Sequence, residues 1–171
     1  MSEQDNPCLT CKADQQCCKV LGLKLSRDEF EQHFKAHSSR LTIIKYKKMY
    51  IVYPRNNLPC PYWDKKNGCG IYENRPIDCR LYPYDLHKLI EKNGVIEIEF
   101  YDQTDCPHKE NLFMQPDEAK DLMKTLARNA YGQDKQINIK FIPGKKPPRI
   151  FGLLSPFVAW LSKIVSAYRE K

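Results

Sequence analysis

Eight cysteines are the residues of this sequence best suited to chemistry. All of them fall within the first 106 residues of a 171-residue chain. They are Cys8, Cys11, Cys17, Cys18, Cys60, Cys69, Cys79 and Cys106. Their confinement to the N-terminal two thirds of the chain indicates a shared purpose for that region.

Three roles could explain the clustered cysteines: disulfide bonding, core packing and metal binding. Disulfides belong to oxidising compartments, and the polar, acidic start of the chain does not have the pattern of a secretion signal. Packing of thiols as small apolar groups explains isolated cysteines, but not the cluster C-x2-C-x5-C-C. Thiolates bind zinc in fours and also hold iron–sulfur clusters. We therefore favour metal over disulfides, and disulfides over packing.

The spacing of the cysteines predicts two sites with four thiolates each. Cys8 and Cys11 form a knuckle around one ion, whereas the adjacent Cys17 and Cys18 point to opposite sides of an extended backbone. One predicted set contains Cys8, Cys11, Cys17 and Cys106, the last followed by Pro107. The other predicted set contains Cys18, Cys60, Cys69 and Cys79. An exchange of Cys17 with Cys18 fits the spacing equally well.

The flanks of the later cysteines carry turn signals. Asn67-Gly68 predicts a positive-φ turn just before Cys69. Pro76 favours a short helical turn that ends near Cys79. The neighbouring Arg80 is a candidate cofactor-binding residue, because a guanidinium can donate to a thiolate sulfur. The alternative is a surface arginine that pairs with an acidic neighbour, Glu73 or Asp78.

These motifs together resemble a known family. The matching stretches are Cys8-Leu9-Thr10-Cys11, Cys17-Cys18, the Cys60 and Cys69 pair, Gly70-Ile71-Tyr72-Glu73-Asn74-Arg75-Pro76 and Cys79-Arg80-Leu81-Tyr82-Pro83. The sequence resembles, over roughly residues 8–106, the CxxCxxCC family of zinc- or iron-chelating domains. It departs from the family motif in having five residues, rather than two, between Cys11 and the double cysteine. The resemblance implies a zinc ion or an iron–sulfur cluster, with a 4Fe-4S cluster as the expectation.

Two further hypotheses follow from this resemblance. The family includes the flagellin lysine N-methylases, which implies an alternative role in protein-lysine methylation with an iron–sulfur cluster and S-adenosylmethionine. The sequence has no recognisable site for a methyl donor. A second alternative is a structural zinc module that serves as an interaction domain for a protein partner of unknown identity.

Composition excludes several other functions. The 28 Lys and Arg exceed the 21 Asp and Glu by a formal charge of +7, but they are dispersed, so we do not expect nucleic-acid binding. The single GxG motif, Gly68-Cys69-Gly70, belongs to the turn that carries Cys69. We therefore do not expect a dinucleotide-binding fingerprint. No run of apolar residues is long enough to predict a membrane span. We therefore expect a cytoplasmic protein.

The segments between the cysteines predict an α+β scaffold, a small metal-stapled domain with short antiparallel strands, a few helices and long cysteine-bearing loops. Ser26 and Glu29 form a capping box that opens a helix to about His37, with Phe30 and Phe34 on one face. His33 and His37 are expected on its solvated face. Residues 41–53 favour strands.

The second half of the scaffold is predicted as a hairpin, a helix and a strand. Asn93-Gly94 is the turn of a hairpin over residues 84–101, and we prefer a strand to a helix for its first arm. Pro116 opens a helix that ends before Gly132, with a buried stripe. That stripe is expected to contain Leu122, Met123, Leu126 and Ala130. A short strand follows over residues 137–141.

The C-terminal tail is predicted as a separate element. We divide the chain into a metal-binding domain over residues 1–142, a linker over 143–149 and an amphipathic helix over 150–171. Apolar residues recur at helical spacing in this last segment, and basic residues flank it. Such a stripe packs on the core or on another subunit, which we favour, or it makes peripheral contact with an anionic membrane through residues 150–168.

Overall fold

The computed structural model of the protein describes residues 18, 22–56, 58–102 and 114–143. Over these ranges the fold is α+β, as predicted, with three small sheets and short helices. The predicted C-terminal helix at 150–171 and most of its linker lie outside the described residues. Within the described ranges, no helix has the length and apolar character needed to cross a membrane.

The first sheet belongs to the N-terminal half. Its strands are β1 (Leu23–Leu25), β2 (Leu41–Tyr46) and β3 (Met49–Pro54), ordered β1-β3-β2 and antiparallel throughout. The predicted strands over residues 41–53 are thus confirmed. A two-residue turn at Lys47-Lys48 joins β2 to β3, and it requires a positive φ at Lys47.

A helical segment connects β1 to β2. It starts with α1 (Arg27–Glu29), continues as a π-helix over Phe30–Phe34 and ends as a 3₁₀-helix over Lys35–Arg40. The capping box of Ser26 and Glu29 is confirmed. The predicted helix to about His37 is present, but it departs from α-helical geometry because the Lys35 N–H donates to the Phe30 carbonyl in the wider π pattern. Phe30 and Phe34 are both buried.

The segment that follows β3 contains a small sheet and a short helix. This sheet is the antiparallel pair β4 (Trp63–Asp64) and β5 (Gly68–Cys69). A 3₁₀ turn over Tyr72–Asn74 and the helix α2 (Ile77–Leu81) follow.

The third sheet supports the C-terminal half. Its strands β6 (Tyr84–Lys92), β7 (Val95–Asp102) and β8 (Gln136–Phe141) lie in the order β6-β7-β8. Asn93 and Gly94 both have positive φ, so the predicted hairpin is confirmed. The strand β8 pairs with β7 in parallel, because the helix α3 (Pro116–Tyr131) carries the chain back across the sheet.

The buried stripe of α3 differs in part from the prediction. Met123 and Leu126 are buried as expected, but Leu122 and Ala130 are only partly buried. The fully covered positions also include Ala119, Ala127 and Tyr131. The stripe is therefore rotated toward the two small alanines, whose short side chains allow the helix to approach its neighbours closely.

Two apolar cores result from this arrangement. The first lies between β1–β3 and the helical segment, and the second lies between α3, α2 and the third sheet. Helix α2 contributes to both, since Ile77 and Leu81 are buried in the second core while Cys79 packs against the first.

Lys24 joins the two halves through a charged contact. Its Nζ donates to the Asp85 carboxylate at 2.7 Å, and its backbone N–H donates to Asp78 at 2.9 Å. The Tyr101 hydroxyl donates to the second oxygen of Asp85 at 3.0 Å. Burial alone would lower the pKa of Lys24, but the carboxylates of Asp78 and Asp85 raise it above its ordinary value.

The ionisation of Tyr101 is expected to make stability depend on pH. Burial and then the Asp85 carboxylate raise the pKa of Tyr101 to about 12, above the ordinary value of about 10. A group with a raised pKa stabilises the fold below its ordinary pKa, and this contribution is lost as pH rises through the folded value. Chemical unfolding should therefore show a steeper loss of stability between about pH 10 and about pH 12 for the wild type than for Tyr101→Phe. Equal slopes for the two proteins would contradict this prediction.

Candidate metal centre

The four described cysteines line one cavity. Cys18, Cys60, Cys69 and Cys79 all contribute to the wall of a space of about 250 Å³. Each of these four cysteines has intermediate exposure. Four separate positions of the sequence therefore bring thiols to the same cavity.

Backbone hydrogen bonds hold Cys18, Cys60 and Cys69 near one another. The Cys60 N–H donates to the Cys18 carbonyl at 2.8 Å, and the Gly70 N–H donates to the Tyr62 carbonyl at 2.8 Å. The predicted turn before Cys69 is confirmed, since Gly68 has φ 74°. This turn places Cys69 opposite Trp63 in the β4–β5 pair.

Helix α2 carries Cys79, and two acidic side chains fix its first turn. One oxygen of Glu29 accepts the Ile77 N–H at 2.7 Å, and the other accepts the Ser26 N–H at 3.0 Å. Asp78 accepts the Lys24 N–H at 2.9 Å. The capping box of α1 thus also positions the helix that carries Cys79, 50 residues later in the sequence. Pro76 precedes this helix, as predicted.

The rest of the cavity wall is largely apolar and aromatic. It includes Leu23, Phe34, Leu41, Val52, Tyr62, Trp63, Ile71 and Tyr82. Phe34 and Tyr62 meet edge to face with centroids 5.7 Å apart. Because this wall is largely apolar, it favours neutral groups over isolated charges.

His33 and His37 flank the cavity wall instead of facing solvent as expected. The Tyr62 hydroxyl donates to the His33 carbonyl, and the His37 ring lies 5.1 Å from the Tyr62 ring. Both histidines are half-buried. The π-helical turns account for this difference, because they rotate later residues relative to a regular helix.

The protonation of the cysteines shows the effect of burial. Burial raises the pKa of the Cys60 thiol, and it raises the pKa of the Cys79 thiol well above its usual range. Asp78 and Cys60 add to the shift at Cys79, whereas the positive charge of Arg75 opposes it. Thiolates in this cavity therefore need a bound cation to offset their charge.

The donors surround the cavity rather than meeting at a point. Among the described residues, no three histidine, cysteine or acidic side chains converge closely enough to hold a single metal ion. The chemistry of the donor set, four thiols at one apolar cavity, nevertheless fits both zinc and an iron–sulfur cluster.

Two arginines near Cys79 differ in placement. Arg80, the residue singled out from the sequence, is exposed at the rim, between the cavity and a shallow groove beside α3. Arg75 is half-buried and lines the same cavity. Sequence reasoning missed Arg75, although its position directly before Pro76 fixes an extended backbone and was a usable signal.

The remaining predicted ligands lie outside the described residues. These are Cys8, Cys11, Cys17 and Cys106. The division of the cysteines into two sets thus stays a prediction. The four cysteines that share the described cavity are the second predicted set.

Comparisons with known proteins identify the family. No curated protein and no solved structure gives a significant match to the chain. Residues 7–107 match the CxxCxxCC family, described as "Putative zinc- or iron-chelating domain". This match covers more than half of the 171 residues and includes all eight cysteines. The chain belongs to the CxxCxxCC family of zinc- or iron-chelating domains.

Proposed function

We propose that this protein is a metal-binding protein whose cysteines hold an iron–sulfur cluster, one site being the cavity of Cys18, Cys60, Cys69 and Cys79. The observation that carries the proposal is that four cysteines from separate positions of the chain line one cavity of about 250 Å³. Membership of a zinc- or iron-chelating family supports metal binding at these cysteines.

The described thiols line the cavity without converging on one point, which favours a cluster over a single ion. Zinc holds sulfur at about 2.3 Å, which requires all four thiols to converge tightly. Among the described side chains no such convergence occurs. A 4Fe-4S cluster spreads its irons over a larger volume, so its four cysteines stay further apart.

The environment of the cavity also suits a cluster. Its apolar and aromatic wall limits contact with water, which is one of the factors that set the reduction potential of a cluster. We further propose a reducing compartment such as the cytoplasm, where free thiols such as those of Cys60, Cys69 and Cys79 persist. The lysine-methylation alternative rests on the family resemblance alone.

Metal and labile sulfide analysis tests this proposal. The full chain, purified without oxygen, is expected to be brown, with iron and sulfide in equal amounts and a broad absorption band in the visible range. Zinc without iron or sulfide would contradict the cluster and support the structural zinc module. Protein without any bound metal under these conditions would contradict both.

A further inference from the structure

Arg75 is a partly buried cation held at the wall of the cysteine cavity. Its Nε–H donates to the Tyr72 carbonyl at 2.8 Å. Its guanidinium carbon also lies 3.7 Å from the centroid of the Tyr72 ring. Two contacts to one residue therefore fix the position of the charge.

The local backbone explains this placement. Tyr72 belongs to the 3₁₀ turn, and Arg75 leaves that turn with φ −62° and ψ 142°. Pro76 requires such an extended conformation of the residue before it. The turn and the proline together set the backbone from which the Arg75 side chain reaches the ring of Tyr72.

A metal centre in this cavity would carry excess negative charge. Four thiolates outweigh a zinc ion, or a cluster core of the same charge, by two negative charges. An apolar wall stabilises such a charge poorly. A fixed cation nearby lowers this cost, most effectively where water does not screen it.

Arg75 meets this requirement better than the other nearby arginines. Arg40 and Arg80 are exposed, so water screens their charges, whereas Arg75 is half-buried. The charge of Arg75 acts on Cys79, and the charge of Arg40 acts on Cys60.

We propose that Arg75, held by Tyr72, is the positioning residue that stabilises the negatively charged four-thiolate centre and sets how tightly the cavity retains its metal. This inference rests on the proposed function, namely that the cavity holds a metal. It assigns the principal charge partner of the centre to Arg75 rather than to an exposed arginine at the rim.

Competition for zinc tests the role of Arg75. Zn²⁺ alone is added to the reduced, metal-free full chain without oxygen, against a chromophoric chelator. The affinity to compare is that of the zinc site that is present in the wild type and lost in Cys79→Ser. Arg75→Gln should bind zinc there about 10- to 100-fold more weakly than the wild type, the usual effect of losing a residue that supports metal ligands.

Three further variants separate charge from structure. Arg75→Lys should recover part of the affinity, because it keeps the charge but loses the planar stacking on Tyr72. Tyr72→Leu should weaken binding partially, and Arg75→Gln should add little in that background. The control is Arg128→Gln, which removes an exposed arginine in the last turn of α3 and should leave the affinity within about twofold.

Distinct results would overturn the two proposals. If Cys79→Ser loses a zinc site but Arg75→Gln retains wild-type affinity, the metal site stands and the role of Arg75 is refuted. If Arg75→Lys and Arg75→Gln weaken binding equally and lower the melting temperature of the metal-free chain equally, the role is structural and the inference fails. If the wild type and Cys79→Ser bind the same amount of zinc, and also contain the same amount of iron when purified without oxygen, the cavity is not a metal site.

Discussion

Cys79→Ser should remove one metal centre from the protein and destabilise it strongly. Cys79 lies on α2 and lines the same cavity as Cys18, Cys60 and Cys69. A serine hydroxyl does not replace a thiolate as a ligand for zinc or for an iron–sulfur cluster. We expect the number of metal ions per chain to fall by the number that one centre holds. Elemental analysis of the purified variant measures this change.

The stability of this variant should fall together with its metal. Loss of a structural metal belongs to the few mechanisms that cost about 4 kcal/mol or more. Denaturant unfolding of the metal-loaded wild type and of the variant measures this difference. A chelator that strips the wild type should reduce its stability toward that of the variant, because metal binding is coupled to folding.

A matched core variant serves as the control for Cys79→Ser. Ile98 is 1% exposed and belongs to the second core, away from the cavity wall. Ile98→Val should cost about 0.5–1.5 kcal/mol and leave the metal content unchanged. Full metal content in Cys79→Ser, or equal metal loss in both variants, would contradict a centre at Cys79.

Lys24→Met is expected to be the most destabilising change outside the cavity. Lys24 and Asp85 have side chains only 20% and 23% exposed, and their charged atoms lie 2.7 Å apart. Without the ammonium group, the carboxylates of Asp85 and Asp78 lose the stabilising positive charge of Lys24. Removal of one partner of a buried pair costs about 3–5 kcal/mol, and denaturant unfolding at neutral pH measures this loss.

Two comparison variants test whether charge is the cause. Adding Asp85→Asn to Lys24→Met should restore part of the stability, because it removes a charge left behind and keeps an acceptor for Tyr101. Lys35→Met breaks an exposed pair with Glu31, where Lys35 is 65% exposed, and should cost less than about 0.5 kcal/mol. If Lys24→Met destabilises the protein as little as Lys35→Met does, the Lys24–Asp85 pair does not have the stabilising role that we assign to it.

Local signals in the sequence predicted much of the fold. The capping box at Ser26, the turn at Asn93-Gly94 and the turn at Gly68 each depend on residues within a few positions of one another. Their geometry is dictated by backbone sterics and local hydrogen bonds. The cysteine motif, likewise, is local enough to indicate metal chemistry without any structure.

Long-range contacts were beyond sequence reasoning. Lys24 reaches Asp78 and Asp85 across 54 and 61 residues, and no periodic pattern encodes such pairs. The π-helical turns were missed because the spacing of Phe30 and Phe34 also fits a regular helix. Arg75 was overlooked in favour of Arg80, since adjacency to a cysteine in sequence does not determine which of two arginines at the cavity is the more buried.

X-ray absorption spectroscopy at the edge of the copurified metal tests the central claim most directly. If the cavity cysteines hold the metal, the first shell of the full chain should contain sulfur alone. For an iron–sulfur cluster, a second shell of neighbouring iron atoms should follow. A first shell of nitrogen and oxygen would contradict a thiolate centre at Cys18, Cys60, Cys69 and Cys79.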